Sequence, residues 1–331
     1  MRTGDFAEAG GVQVIPVQDQ ALGLRRLISQ RASDGVLGIT PNQRIGTWVV
    51  SVVGGTPQSG KTTIATNLCA LLGQTGRHVV LVDGNVGAQT CSRLLGTQPR
   101  YSLEDLLADR RDLPEILAPG AAGIRVLPGG ARILALKRLS PQGQRDVIER
   151  LRSLEMLADV VFIDTGNASS TDTLAYALSS DIVLAIALPQ RESLLSTYSL
   201  VKRLLLHRAD LQIGWVMNRC RSAEQAQKIG RQVERLLCGQ FAGRVCLLGS
   251  IMEDNIVSAA AEQNTCFWLS WPDSVAAKGL SALSAELRAR ILSYPGAGKG
   301  LHAFLARLSD HLRPPALLPI PKEEEQPWLV A

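Results

Sequence analysis

Histidine is scarce in this chain: four in 331 residues, none near a motif that would use one, so no histidine-centred site is expected. The six cysteines, Cys69, Cys91, Cys220, Cys238, Cys246 and Cys266, include no CxxC pair. That spacing argues against a cysteine metal site and for buried free thiols in a reducing compartment. Aromatic residues make up only 4% of a chain that is 46% hydrophobic, so the core must be aliphatic. No apolar run approaches the roughly 18 residues of a membrane-spanning helix, and the first residues lack a signal-peptide apolar stretch. A cytoplasmic protein is therefore expected. The net charge of +5 is small for this length. It permits an acidic partner or a membrane surface without demanding either.

What the chain does have is a strand–loop–helix signal from Trp48 to Leu72, WVVSVVGGTPQSGKTTIATNLCALL. An apolar β-branched run, 49–53, leads into Gly55-Thr56-Pro57-Gln58-Ser59-Gly60-Lys61-Thr62, which fits GxxxxGK[ST], and a helix-patterned stretch follows over 63–72. Backbone N–H groups of such a loop wrap an anion, and the helix N-terminus adds positive potential. Gly55, Gly60, Lys61, Thr62 and Thr63 are the expected nucleotide contacts. Lys61 is assigned to the phosphates and Thr62 to Mg²⁺.

Ahead of the loop, Asp19 caps a short helix in which Ala21, Leu24, Leu27 and Ile28 share one face. It is too short to persist alone in water. It either packs on the core or forms a recognition arm (Asp19, Gln20, Ala21, Leu24, Arg25) tethered by an unpatterned linker over 29–44. After the loop, strands are expected over 77–83, 124–127, 159–164, 182–188, 211–217 and 244–251. Helices are expected over 88–95, 102–108, 113–117, 141–157, 193–207, 223–238, 253–263 and 280–294. Short apolar strands alternating with helices predict an α/β fold: a mostly parallel twisted sheet with helices on both faces. Ligands of such sheets bind beyond the carboxyl ends of the strands, where Lys61, Asp83 and Asp164 all fall. Asp164 either holds Mg²⁺ or caps the next turn. Asp83 is a candidate for orienting water or metal at the γ-phosphate. Asn218, followed by Arg219, either reads an adenine edge or closes an Asx turn.

At the other end, Leu301, Phe304, Leu305, Leu308 and Leu312 form an apolar stripe at helical spacing. That helix either closes the core or lies on a membrane surface. Residues 314–331, rich in proline and glutamate, read as a disordered tail. The expected organisation is an arm and linker over 1–44, a nucleotide domain over 45–296, the amphipathic helix over 297–313 and the tail.

Four motifs together resemble the MinD/ParA branch of P-loop ATPases over roughly 46–294: GxxxxGKTTxAxNLxxxL, VVLVDxxxG, a strand ending Asp164-Thr165-Gly166, and Asn218-Arg219 after a late strand. Asp19-Gln20-Ala21 with Leu24-Arg25 and Leu27 is similar to the DQAxxLRxL element of the FlhG family, also called FleN or YlxH, regulators of flagellar number and placement. Ile163-Asp164-Thr165-Gly166, Pro189–Leu204 and Val216-Met217-Asn218-Arg219 also sit where that family has them. The resemblance implies an eight-stranded sheet, ATP or ADP with Mg²⁺, an ATP-dependent homodimer and a C-terminal helix for the inner membrane surface at the cell pole. It also implies partners: an FlhF-type GTPase engaged through Gln20, and a FleQ-type transcription activator or flagellar C-ring components. No direct DNA binding is expected.

The chain departs from the branch in its reaction centre. Thr56 stands where the branch carries a second lysine that reaches the partner subunit's nucleotide, and a cation there neutralises charge in phosphoryl transfer. Asn85 stands where the branch has the second acid of DxD. An amide orients water but takes no proton. Gly166-Asn167-Ala168 replaces the frequent GAG. With Asp83 and Asn85 as the catalytic pair, the expectation is nucleotide binding with slow or absent hydrolysis. Two alternatives accompany this reading: a pseudo-ATPase adaptor that never cycles, and a ParA-type partition or positioning ATPase.

Overall fold

The structure, a computed structural model, describes residues 46–84, 90–129, 136, 138–166, 170–239, 241, 243–293 and 300–312. The expected arm (Asp19, Gln20, Ala21, Leu24, Arg25), Asn85 and the tail lie outside the described residues.

Eight strands build the sheet: β1 Trp48–Val53, β2 Val79–Gly84, β3 Ala118–Pro119, β4 Arg125–Leu127, β5 Val160–Thr165, β6 Ile182–Ala187, β7 Gln212–Cys220 and β8 Val245–Met252. Their order is β3-β4-β2-β5-β1-β6-β7-β8. Every pairing is parallel except the short β3 against β4. The central strands β1, β5 and β6 are buried along their whole length. Continuous aliphatic runs suit strands covered on both faces. Successive side chains of β1 then alternate between layers: Trp48, Val50 and Val52 enter one core cluster, while Val49 and Val53 enter the clusters of the opposite face. Register brings the site together, because Val52 lies opposite Asp164 across β1–β5 and Asp83 lies opposite Asp164 across β2–β5.

Helix α1, Lys61–Gln74, follows β1 and is buried from Ile64 to Leu72. It is apolar nearly all round because it is wedged between the sheet and later helices. Next come α2 Thr90–Leu94, α3 Leu103–Leu107 and α4 Leu113–Ile116. The expected helix over 141–157 is two helices, α5 Pro141–Arg152 and α6 Leu154–Leu157, because Ser153 serves as C-cap of one and N-cap of the other. Helix α7, Thr171–Ser179, was not foreseen; Ser170 caps it, its Oγ accepting from the Thr173 amide at 3.1 Å. The chain continues through α8 Arg191–His207, α9 Ala223–Cys238, α10 Asn255–Glu262, α11 Phe267–Ser270 and α12 Val275–Ser293.

The last described helix is α13 Gly300–Leu312, which carries the apolar stripe. Leu301, Phe304, Leu305 and Leu308 are all buried, in the core cluster shared with α5, α6 and α7; the side chain of Leu312 lies outside the described residues. Polar contacts fix the helix in this groove. Glu155 Oε1 accepts from the His302 amide at 2.7 Å. Arg307 Nη2 reaches Asp181 Oδ1 at 3.2 Å while its Nε donates to the Ser179 carbonyl at 2.8 Å. In this arrangement the stripe closes the core.

Candidate functional site

The loop between β1 and α1 is shaped by its glycines. Gly60 has φ +94°, a left-handed conformation that glycine adopts without a Cβ clash. A Cβ on Gly55 would collide with the backbone of Ser196 and Thr197 in α8, so only glycine lets the loop lie against that helix. The Gly55 amide donates to Thr197 Oγ1 at 3.0 Å, and Thr56 Oγ1 donates to Ser193 Oγ at 3.0 Å. Ser193 Oγ in turn accepts from the Leu188 amide at 3.0 Å. Thr56 is thus tied to its own chain.

Helix α1 has no side-chain cap at Gly60, so its N-terminus opens on the loop. The buried Ser59 hydroxyl has no partner among the described residues. Lys61 Nζ donates to the Thr56 carbonyl at 3.3 Å, curled across the loop. Burial lowers the Lys61 pKa, and the nearby Asp164 carboxylate offsets part of that. Thr62 Oγ1 donates to Asp164 Oδ2 at 2.6 Å. Thr63 continues the first turn.

Asp164 and Asp83 end adjacent strands, and both are buried. Burial pushes the Asp164 carboxyl up to about 6; the Thr62 hydrogen bond works against this and the neighbouring Asp83 charge adds to it. Asp164 Oδ1 is buried without a hydrogen-bond partner among the described residues. A cation is what such an oxygen lacks. The residues fit a nucleotide with Mg²⁺: an open helix N-terminus, a lysine, a threonine hydroxyl and an unsatisfied carboxylate oxygen at one sheet edge.

Asn218 Nδ2 donates to the Ser59 carbonyl at 2.8 Å and its Oδ1 accepts from the Arg219 amide at 2.9 Å. Both ends of the carboxamide are held inside the protein, so here Asn218 braces the loop. The strand register shifts in β7 between Met217 and Cys220, and Arg219 has a positive φ (+54°). Arg219 itself is exposed.

Sequence reasoning therefore brought Lys61, Thr62, Asp83 and Asp164 to one edge correctly, but missed Ser193, Thr197 and Cys91. Cys91, in α2, donates its thiol to Asp164 Oδ2 at 3.4 Å. The family-like stretch Pro189–Leu204 was a signal for the two hydroxyls; nothing in the spacing of Cys91 marked it. Two surface hollows, of about 400 Å³ along α9 and about 300 Å³ between α5 and α13, do not touch the loop.

Against known proteins, the family described as CbiA, CobQ/CobB/MinD/ParA nucleotide binding domain, matches residues 50–266. The chain is 24% identical over 264 residues to the antiactivator FleN of Pseudomonas aeruginosa, covering 80% of this chain and 94% of that protein. It is 23% identical over 153 residues to the flagellum site-determining protein YlxH of Helicobacter pylori, 46% of this chain and 52% of that one. In fold it is similar to the septum site-determining protein MinD of Pyrococcus horikoshii in complex with Mg-ADP, with a TM-score of 0.58 at 24% identity, over 73% of this chain and 96% of that chain.

Proposed function

We propose that this chain, which belongs to the CobQ/CobB/MinD/ParA nucleotide-binding family, is a nucleotide-dependent regulator of flagellar number or placement and of flagellar gene expression. The observation that carries the nucleotide part is the Lys61–Thr62–Asp164 constellation, with Thr62 Oγ1 2.6 Å from the carboxylate. The regulatory part is supported by the likeness to an antiactivator that spans 94% of that protein, and to a flagellum site-determining protein.

Gly55, Gly60, Lys61, Thr62 and Thr63 would hold the phosphates of ATP or ADP, and Thr62, Asp83 and Asp164 would hold Mg²⁺. Bound Mg·ATP supplies a γ-phosphate whose presence or absence two states of the protein can read. Reaching a phosphate would take Lys61 Nζ away from the Thr56 carbonyl. The Ser193 and Thr197 hydroxyls and the Asn218 carboxamide keep the loop in shape while it does so. Neither Thr56 nor Asn85 offers the charge or the proton acceptor that fast hydrolysis needs, so nucleotide binding governs the state and turnover is slow or absent.

Output passes through two surfaces. The arm, through Asp19, Gln20, Ala21, Leu24 and Arg25, engages an FlhF-type GTPase. The ATPase body restrains a FleQ-type activator or meets C-ring components. Membrane contact through α13 would require the helix to leave its groove and break the Arg307–Asp181 pair. A second reading, a non-cycling adaptor, is favoured by the Thr56–Ser193 hydrogen bond, which holds within one chain the position that would otherwise serve a dimer partner.

Pull-down of an FlhF-type GTPase with wild type and with Gln20→Ala, each with and without ATP, tests the arm. Wild type should capture the GTPase and the variant should not; equal failure or equal capture would remove the role of Gln20.

A further inference from the structure

At the carboxyl edge of β2 and β5, donor atoms of Asp83, Cys91 and Asp164 lie within 4.8 Å of one another, and all three residues are buried. Strand register places the two carboxylates side by side. Helix α2 brings the thiol in from the next turn of chain. Cys91 Sγ is 3.4 Å from Asp164 Oδ2, the oxygen that Thr62 Oγ1 also reaches at 2.6 Å. Asp164 is fully buried, yet its Oδ1 has no hydrogen-bond partner among the described residues.

A magnesium ion has no use for the sulfur. Magnesium takes oxygen ligands in octahedral geometry, whereas zinc-class ions accept thiolate and carboxylate together. With metal–oxygen bonds of about 2.0–2.2 Å and metal–sulfur bonds of about 2.3 Å, a tetrahedral site has an oxygen–sulfur edge of about 3.5 Å. The Cys91–Asp164 edge already has nearly that length. The Oδ1 of Asp164, without a partner among the described residues, supplies the second indication, a buried acceptor in need of a cation.

We infer that Asp83, Cys91 and Asp164 bind a thiophilic divalent cation of the zinc class, with Cys91 the ligand that selects it over magnesium. The inference deepens the nucleotide-site reading, on which it rests for the position of Asp83 and Asp164 at the metal-binding edge. On binding, the Cys91 thiol releases its proton to solvent and a metal–sulfur bond forms; no electrons change hands. An ion so held shares Asp164 with the Mg²⁺ of a nucleotide complex, so the two loads compete for one carboxylate.

The test is titration of the nucleotide-free full chain with Co²⁺, followed by the near-ultraviolet thiolate-to-cobalt absorption. Wild type should give a band that saturates at one equivalent. Cys91→Ser should abolish it, Asp83→Asn should weaken Co²⁺ binding by at least about tenfold, and Cys246→Ser should leave it intact. Should Cys91→Ser fail to melt cooperatively, protection of Cys91 from alkylation by Cd²⁺ in wild type, mapped by mass spectrometry, decides instead. No band in wild type, a band that survives Cys91→Ser, or alkylation of Cys91 unaffected by Cd²⁺ would overturn the inference. Calorimetry of Mg·ATP binding on the same preparation separates the two readings. Nucleotide binding without a cobalt band defeats the thiophilic site alone, and a band without nucleotide binding defeats the nucleotide reading alone.

Discussion

Burial holds the Asp164 carboxyl near 6, against an ordinary value of 3.8. The native state therefore binds the proton more tightly than the unfolded chain does. Below about pH 4 the group is protonated in both states and costs nothing. As pH rises from about 4 to 6 the native state loses stability, and above 6 the full cost applies, on the order of 1–3 kcal/mol. Asp164→Asn keeps an acceptor for Thr62 but removes the charge. Urea unfolding of nucleotide-free protein should show the variant more stable than wild type at pH 7 by that amount and equal to it near pH 4, while Mg²⁺-dependent nucleotide binding is lost. A variant no more stable at pH 7 would mean that Asp164 is not held at such a cost. Asp164 was legible in the sequence because a carboxylate ending an apolar strand is a local pattern. Its neighbours were not. Thr56 meets Ser193 across 137 positions of chain, and Gly55 meets Thr197 across 142; no periodicity encodes which hydroxyl faces which loop. Asn218 lies at the expected sheet edge, but its bonds to the Ser59 carbonyl, 159 positions away, and to the Arg219 amide are not recorded in the apolar pattern.

At the scale of elements, strands were read well because buried parallel strands are continuous aliphatic runs with little else to resemble. Helix Thr171–Ser179 escaped because it is buried on nearly every side, leaving no amphipathic stripe to find. For α13 the stripe was plain and its occupant was not. Spacing at i, i+3, i+4 and i+7 looks the same whether lipid or protein core covers it. The deciding group is Arg307, whose partner Asp181 lies 126 positions away and has a side chain only 1% exposed. Burial raises the Asp181 pKa and lowers that of Arg307, so desolvation weighs on both members of the pair. Removing one member strands the other. Arg307→Met should destabilise the protein by about 3 kcal/mol in urea unfolding. The double variant Asp181→Asn with Arg307→Met should recover most of that loss, since the uncompensated charge is gone and Asn still accepts from the Val49 amide, which Asp181 Oδ2 now does at 3.0 Å. Equal losses in the single and double variants would mean that packing alone holds the helix.

For the whole molecule the question is whether two copies close over nucleotide. Closure in which each loop reaches across needs a cation or a free donor at the start of the loop, and here that position is a threonine bound to Ser193 of its own chain. On the proposed reading, Lys61 and the open end of α1 would hold phosphate without help from a second subunit. Nucleotide binding and dimerisation should therefore come apart. Mg·ATP at about 100 times its dissociation constant should stabilise wild type by about 2.7 kcal/mol, which at about 2–4 °C per kcal/mol for a domain of this size raises the melting temperature by about 5–10 °C. Lys61→Ala should erase the shift. Sedimentation velocity of the same wild-type sample should show a monomer with and without ATP, and phosphate release should run on the order of a thousandfold below that of a relative with its second lysine, the lower end of what a trans cation contributes to phosphoryl transfer. An ATP-dependent dimer with ordinary turnover, lost in Lys61→Ala, would show that Thr56 leaves Ser193 on closure and that another group supplies the missing charge.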